Sequence, residues 1–249
     1  MKSLTFSRFP ALSYAGAEAI NTLCTNLSFS GEGIRRIMVT SCHASEGKSF
    51  LTMNIMRTMA KLGRKVVLVD ADLRRSIIAK SYGIQFAGRD NPGLSHLLAG
   101  MVKEEEVVYS TDIPGAFMVP VGKTVSSSLS LLNSNKLDNL LTHLAREYDY
   151  VFVDAPPIGA LIDAAQIAKY CDGTLLVISY NTVRRQELMD AQSQLEQTGC
   201  PILGTVINQA ELDSYLSRKY YYKSYYSHYD GYYNNGSSKE HRKSSDRKR

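Results

Sequence analysis

Three short stretches of this sequence are apolar at every position, and they constrain the fold more than any other feature. The stretches are residues 66–69, 151–153 and 175–178. A strand with one face in water alternates apolar and polar residues, whereas a strand buried on both faces does not. These stretches therefore predict parallel strands inside a sheet that is covered on both sides.

Helical patterns lie between the strand segments. The predicted strands are residues 36–41, 65–70, 116–120, 150–154, 174–179 and 202–208, and the predicted helices are residues 48–62, 136–147, 163–170 and 184–197. This alternation predicts an α/β fold with a doubly wound, mostly parallel sheet. Ligands of such sheets bind beyond the carboxyl ends of the strands, so the residues that follow each strand are the candidates for a site.

The composition changes near Asp213. Residues 215–249 contain nine Lys or Arg against three Asp or Glu, a balance of +6, so the other 214 residues sum to −1 within a chain of net charge +5. This segment has nine of the sixteen tyrosines and only one Leu, and it buries too little apolar surface to offset its ordering entropy. We predict a disordered, Tyr-rich basic tail over residues 213–249. Because the body is not basic, no nucleic-acid partner is expected.

Several other classes of protein are disfavoured. No apolar run approaches the ~18 residues of a membrane-spanning helix, and the N-terminus lacks the apolar core of a signal peptide. The four cysteines form no CxxC pair and no zinc spacing. We therefore expect a cytoplasmic protein with reduced thiols and no transmembrane segment of its own.

The segment after the first predicted strand matches the end of a phosphate-binding loop. Gly47, Lys48 and Ser49 precede a helix. Such a Lys reaches the terminal phosphates of a nucleotide, the hydroxyl binds Mg²⁺, and the helix N-terminus faces the anion. Cys42 stands where the pattern has its first glycine. On this segment alone, a surface loop before a helix is the alternative.

Carboxylates end two other predicted strands. Asp70 and Asp72 follow the second strand, and Asp154 ends the fourth. Two carboxylates at this spacing can share a divalent cation, and an Asp at the end of an apolar strand is a Mg²⁺ partner in phosphate-loop NTPases. Taken singly, these residues fit helix N-caps or loop starts as well. Their coincidence with Lys48 and Ser49 predicts a site for a nucleotide and Mg²⁺.

Three motifs together resemble the bacterial tyrosine kinases. Residues 66–74 are similar to their Walker A′ motif, residues 151–157 to their Walker B motif, and the segment from Tyr220 onward to their C-terminal tyrosine cluster. The resemblance is nearest to the free-standing kinases of capsule or exopolysaccharide systems. It implies a phosphate-loop NTPase fold and an ATP-dependent tyrosine autokinase that regulates polysaccharide synthesis or export. It also implies a homo-oligomer that works with a membrane adaptor at the inner face of the membrane.

The resemblance assigns roles to the strand-end residues. Lys48 would hold the phosphates, and Asp70 would accept the proton of a tyrosine hydroxyl, whose pKa of about 10 makes such an acceptor useful. Asp72 would serve catalysis through the metal site. The implied Mg²⁺ ligands are Ser49, Asp72 and Asp154, and the residues implied to contact the nucleotide are Ser45, Glu46, Gly47, Lys48, Ser49 and Phe50.

The chain departs from the family pattern at four places. In the phosphate loop a glycine would adopt positive φ more easily than Ser45 does, so weakened ATP binding is expected. The departures are Asn21 and Cys24 for the two arginines that follow Glu18 in a subunit-contact motif, Ala44 and Ser45 for Pro-Gly in the phosphate loop, Ser76 for a Pro after the A′ segment, and residues 126–128 for Pro-Asn-Pro.

The tyrosines of the tail are not needed for folding. With a nucleotide site present, we interpret them as phosphate acceptors, each phosphate adding about −1.5 to −2 charges at pH 7, so that a few would reverse the charge of the tail. The alternative is a low-complexity tail that binds a partner. The predicted acceptors are Tyr215, Tyr220, Tyr221, Tyr222, Tyr225, Tyr226, Tyr229, Tyr232 and Tyr233.

The predicted organisation has three parts: a helical segment for subunit or adaptor contacts over residues 1–34, a kinase domain over 35–212, and the tail over 213–249. Two other functions stay open at this point. One is a related non-kinase ATPase that switches on nucleotide hydrolysis, and the other is a binding-only member with a degraded loop. Phosphotyrosine in the tail separates the autokinase from both.

Overall fold

The six predicted strands lie next to one another in a parallel block. The computed structural model describes residues 1–31 and 33–210. Its strands are β1 (Lys2–Phe6), β2 (Arg36–Ser41), β3 (Val66–Asp70), β4 (Ile84–Phe86), β5 (Tyr109–Ser110), β6 (Ala116–Val119), β7 (Tyr150–Asp154), β8 (Gly173–Ser179) and β9 (Ile202–Asn208). They form one sheet in the order β4-β1-β5-β6-β3-β7-β2-β8-β9, and every neighbouring pair from β6 to β9 is parallel.

Helices cover both faces of this sheet, and the doubly wound, mostly parallel fold is confirmed. The helices are α1 (Tyr14–Ser28), α2 (Lys48–Lys61), α3 (Ile78–Tyr82), α4 (Leu94–Leu98), α5 (Leu129–Leu132), α6 (Asn135–Glu147), α7 (Asp163–Ala168) and α8 (Arg185–Glu196). Apolar residues of α1–α3 pack on one face, and those of α4–α8 pack on the other. No helix in the described part of the chain has the length and apolar character needed to cross a membrane.

Residues of the central strands alternate between the two apolar clusters. Val67 and Val69 of β3 face the cluster around α4–α8, whereas Val66 and Leu68 face the cluster around α1–α3. Phe152 of β7 is fully buried in the second cluster. Since both faces are apolar, the interior positions of β3 and β7 are apolar, which explains the continuous apolar stretches, and the polar residues Asp70 and Asp154 stand at the strand ends.

The other edge of the sheet differs from the sequence-based prediction. β1 pairs with β4 in the antiparallel and with β5 in the parallel sense, so residues 1–34 contain a strand as well as a helix. These three strands have only five, three and two residues and include polar positions. Their apolar periodicity is too short to be recognised. The predicted tail, residues 213–249, lies outside the described residues.

Helix α1 places the two departures from the family's subunit-contact motif, Asn21 and Cys24, in different environments. Ser13 caps its N-terminus, because the Ser13 hydroxyl accepts a hydrogen bond from the Gly16 N–H at 3.1 Å. In this register Asn21 is exposed, while Cys24 is fully buried in the cluster around α1–α3. The third position of the motif therefore packs in the core of this protein and offers no surface for a subunit contact.

We expect Cys24→Arg to destabilise the fold, because it places a cation in an apolar cluster. Burial there already raises the pKa of the Cys24 thiol to about 12. The free energy of unfolding should fall by about 3 kcal/mol or more. Asn21→Arg, on the exposed side of the same helix, is the control and should stay within about 0.5 kcal/mol of the parent. Urea denaturation followed by circular dichroism measures both, and equal stability of the two variants would contradict the packing described.

We also expect Gly93→Ala to destabilise the fold. A Cβ on Gly93 would lie 2.3 Å from both the Gly122 nitrogen and the Pro120 oxygen, two backbone atoms with little freedom to move. Forcing them apart should cost about 1–3 kcal/mol of unfolding free energy. Gly88→Ala is the matched control, since no atom of the described residues lies within 4 Å of its added Cβ. A thermal unfolding series that ranks both variants alike would count against the close approach.

Candidate active site

Two of the predicted carboxylates lie side by side where β3 and β7 end. The parallel ladder pairs Asp70 directly with Asp154, and both side chains are buried. Burial, and then the nearby Asp154 carboxylate, raise the pKa of Asp70 to about 8. Burial also raises the pKa of Asp154. Two buried carboxyl groups on adjacent strands do not both ionise readily, because their negative charges repel, unless a positive charge lies beside them.

The start of α2 adds a cation and a hydroxyl to this pair. Ser49 Oγ donates a hydrogen bond to Asp154 Oδ2 at 2.6 Å, and Lys48 Nζ lies 3.4 Å from Asp72 Oδ2. The side chains of Lys48 and Asp72 are only 11% and 6% exposed, so water screens this ion pair weakly. The structure thus brings together Lys48, Ser49, Asp70, Asp72 and Asp154.

The loop between β2 and α2 has the backbone conformation of an anion cradle. Gly47 has φ of 86° and precedes α2, which in the described structure has no side-chain cap, so its first N–H groups stay open to an anion. Ser45 has φ of 67°, which is the left-handed conformation that the family's glycine adopts more easily. The strain expected at this position is therefore present in the backbone.

Glu46 and Phe50, the remaining predicted nucleotide contacts, differ in which of their atoms face the site. The buried Glu46 side chain faces inward: Glu46 Oε2 accepts from the His43 N–H at 2.6 Å, and Oε1 accepts from the Ser179 N–H at 3.2 Å. Only the backbone of Glu46 is left for a ligand. Phe50 is half-buried in the first turn of α2. Glu46 therefore shapes the loop from within.

The segment after β3 fixes the orientation of its carboxylates. The Arg75 N–H donates to Asp72 Oδ1 at 2.9 Å, and the Ser76 hydroxyl donates to Asp70 Oδ2. Ser76 stands where the family usually has a proline, which lacks any hydroxyl, so this bond is particular to the substitution. Among the described residues, Asp70 Oδ1 is buried without a hydrogen-bond partner.

A second network, which sequence reasoning missed, braces this segment. Asp163 at the start of α7 is buried and accepts hydrogen bonds from Arg74 Nε at 2.8 Å and from the Ser128 hydroxyl. Arg74 Nη1 also donates to the Ser126 carbonyl at 2.8 Å. The one signal in the sequence was the replacement of Pro-Asn-Pro by three serines. Ser128 now has a physical role as a hydrogen-bond donor to a buried carboxylate.

The residues present fit a magnesium-bound nucleotide. Three buried carboxyl groups face one lysine, so they ionise together only when further positive charge joins them, and among the described residues Asp70 Oδ1 has no hydrogen-bond partner. Within residues 1–31 and 33–210, no group of three His, Cys, Asp or Glu side chains forms a metal cage by itself. Mg²⁺ needs no such cage, because it binds through one or two carboxylates and keeps waters and substrate phosphates as its other ligands.

Known proteins share both the sequence pattern and the fold of this chain. The AAA domain family matches residues 34–196. The tyrosine-protein kinase CpsD of Streptococcus pneumoniae is 35% identical over 196 residues, which cover 78% of this chain and 85% of that protein. The kinase domain of the Escherichia coli tyrosine kinase ETK superposes with a TM-score of 0.71 and 29% identity, over 79% of this chain and 78% of that one. The septum site-determining protein MinD of Pyrococcus horikoshii, complexed with Mg-ADP, shares the fold with a TM-score of 0.59 and 24% identity, over 72% of each chain.

We expect Ser128→Ala to destabilise the protein, because it removes a donor from the buried Asp163 carboxylate. Hydrogen bonds to charged groups contribute about 1.5–3 kcal/mol, so the free energy of unfolding should fall by roughly that amount. Ser127→Ala is the matched control, since Ser127 is exposed, and it should change stability by less than about 0.5 kcal/mol. Chemical denaturation compares them, and indistinguishable midpoints would show that Ser128 does not support Asp163.

Proposed function

The chain belongs to the bacterial tyrosine kinase family, and from this premise we propose that it is an ATP-dependent autokinase that phosphorylates its own C-terminal tyrosines. One observation carries the proposal: a phosphate-loop lysine, a Mg²⁺-binding hydroxyl and three carboxylates share one buried site. Phosphoryl transfer depends mainly on positioning and charge neutralisation, and this set of groups suits both tasks. The acceptors are the nine tyrosines from Tyr215 to Tyr233.

Each group has a distinct task in the proposed reaction. The Lys48 ammonium holds the terminal phosphates, and the loop N–H groups around Gly47 orient them. Ser49, Asp72 and Asp154 would hold Mg²⁺, which would neutralise charge on the phosphate oxygens. The Arg75 N–H and the Ser76 hydroxyl keep Asp72 and Asp70 in place for these roles.

Asp70 takes up the proton that the reaction releases. The tyrosine oxygen forms a bond to the γ-phosphorus of ATP while the bond from that phosphorus to the β,γ-bridging oxygen breaks. ADP leaves with the electron pair of the broken bond, and the phenol proton passes to the Asp70 carboxylate. A cation beside Asp70 favours its ionised form, which prepares it to act as the base.

Phosphorylation of the tail would regulate its contacts by changing its charge. The charge of +6 on residues 215–249 is reversed by a few phosphates, each of about −1.5 to −2 charges. Contacts that depend on a positive tail are therefore lost in the phosphorylated state. We place this switch at the inner face of the membrane, in a homo-oligomer that works with a membrane adaptor of capsule or exopolysaccharide synthesis and export.

Tandem mass spectrometry of the tail tests the proposal. The purified full chain is incubated with Mg-ATP and an activating adaptor segment, beside Lys48→Met and Lys61→Met variants. We expect phosphate on several tail tyrosines of the parent and of Lys61→Met, because Lys61 is exposed in the last turn of α2, far along the helix from the site. Lys48→Met should lose at least about 100-fold of the modification, since it removes charge stabilisation of the transfer.

Three results would contradict the autokinase. An unmodified tail in the parent under these conditions, with ATP hydrolysed, would favour the nucleotide-switched ATPase. An unmodified tail without hydrolysis would favour a binding-only protein. Equal modification of parent and Lys48→Met would show that a contaminating kinase is responsible.

A further inference from the structure

The end of β9 contacts the phosphate loop through two amide side chains. Asn208 Nδ2 donates to the Glu46 carbonyl at 2.9 Å, and Gln209 Nε2 donates to the Ser45 carbonyl at 3.2 Å. Gln209 Oε1 in turn accepts from the Ser179 hydroxyl at 2.5 Å. We call Asn208 and Gln209 the β9 clamp.

We propose that the β9 clamp positions the phosphate loop for nucleotide, and that Gln209 in particular holds Ser45 in its left-handed conformation. The inference deepens the proposed function and rests on nucleotide binding at this loop. Neither residue of the clamp is assigned a catalytic task. Both act on the ligand through the backbone of Ser45 and Glu46.

Peptide planarity explains how the clamp would act. The carbonyl of Ser45 and the N–H of Glu46 belong to one planar trans peptide, as do the carbonyl of Glu46 and the N–H of Gly47, and in each the two groups point in opposite directions. Fixing the two carbonyl oxygens on the clamp therefore directs the two N–H groups away from it. Successive N–H groups held in this way are what an anion-binding loop requires.

Backbone strain explains why a clamp is needed in this chain. Ser45 and Gln209 are two of the three non-glycine residues with positive φ in the described part of the chain, at 67° and 57°. A hydrogen bond joins the Gln209 side chain to the Ser45 carbonyl. A residue with a Cβ is disfavoured in this conformation and persists there only when neighbours fix it. Gln209 supplies that support where the family's glycine would need none.

Two neighbours are fitted to the clamp. A Cβ on Gly47 would lie 2.0 Å from Asn208 Nδ2, so only glycine at this position lets Asn208 reach the Glu46 carbonyl. Ser179 of β8 is the register partner of Asn208 and binds both sides of the contact, through its N–H to Glu46 and through its hydroxyl to Gln209. The clamp is thus anchored on a buried strand.

A rescue experiment on the full chain tests the clamp. Five proteins are compared by calorimetric titration with Mg-ATP: the parent, Gln209→Ala, Ser45→Gly, the double variant and the control Gln192→Ala. We expect Gln209→Ala to weaken binding by about three- to tenfold, the loss of roughly one hydrogen bond. Ser45→Gly should abolish most of that loss, because glycine adopts positive φ without support. Gln192→Ala is the control, since Gln192 is exposed on α8 and, in the part of the chain that the structure describes, forms its hydrogen bond within that helix.

A second readout does not depend on the nucleotide. Amide hydrogen exchange at residues 45–48 of the nucleotide-free protein should be faster in Gln209→Ala than in the parent or in Gln192→Ala. Unchanged exchange together with unchanged affinity would overturn the inference. If Gln209→Ala weakens binding equally with and without the Ser45→Gly substitution, the inference is also overturned, because Gln209 would then act on the ligand directly.

The two proposals fail in different ways. If the parent chain binds no Mg-ATP, the proposed function is wrong and so is the part of the inference that concerns nucleotide, while hydrogen exchange still decides whether Gln209 holds Ser45. If the parent binds Mg-ATP but forms no phosphotyrosine, the kinase proposal fails while the rescue experiment still decides on Gln209.

Discussion

The carboxyl groups of Asp70 and Asp154 lie next to each other in the interior of the protein, and the surrounding side chains stabilise their negative charge. Asp70 and Asp154 are partners in the β3–β7 ladder and are both buried. Ser76 donates to one of them and Ser49 donates to the other, while the Lys48 ammonium favours the ionised form of both. Hydrogen bonds of this kind reduce the repulsion without cancelling it. The site therefore favours any partner that brings positive charge.

The strand order explains why one loop can serve such a site. β2 lies between β7 and β8, with β3 beyond β7 and β9 beyond β8. The loop that follows β2 thus emerges with the carboxylates of β3 and β7 on one side. On its other side it meets Ser179 of β8 and the β9 clamp. The carboxylates that pair with the charge of the loop lie on one side of it, and the residues that support its backbone lie on the other. The two sets of contacts therefore do not compete for the same space.

Much of this arrangement could be predicted from the sequence, and there are physical reasons why the remaining features could not. The central strands could be predicted because burial on both faces favours continuous apolar runs. Asp70 and Asp154 could be predicted as site residues because each ends such a run with a carboxylate. β1, β4 and β5 are too short for a period to show. The bonds of Ser128 to Asp163 and of Gln209 to Ser45 join residues 35 and 164 positions apart. Pairings at such separations depend on tertiary approach, and no local pattern encodes them.

The bond between Asn208 and Glu46 spans 162 residues of the chain, and this separation has a consequence for biosynthesis. A ribosome releases the phosphate loop long before it releases the strand that supports it, because chains emerge N-terminus first at about 5–20 residues per second. In the proposed role of the β9 clamp, the loop takes its final shape only after β9 has joined the sheet. The proposed nucleotide binding would then begin late in folding, once β9 has been synthesised.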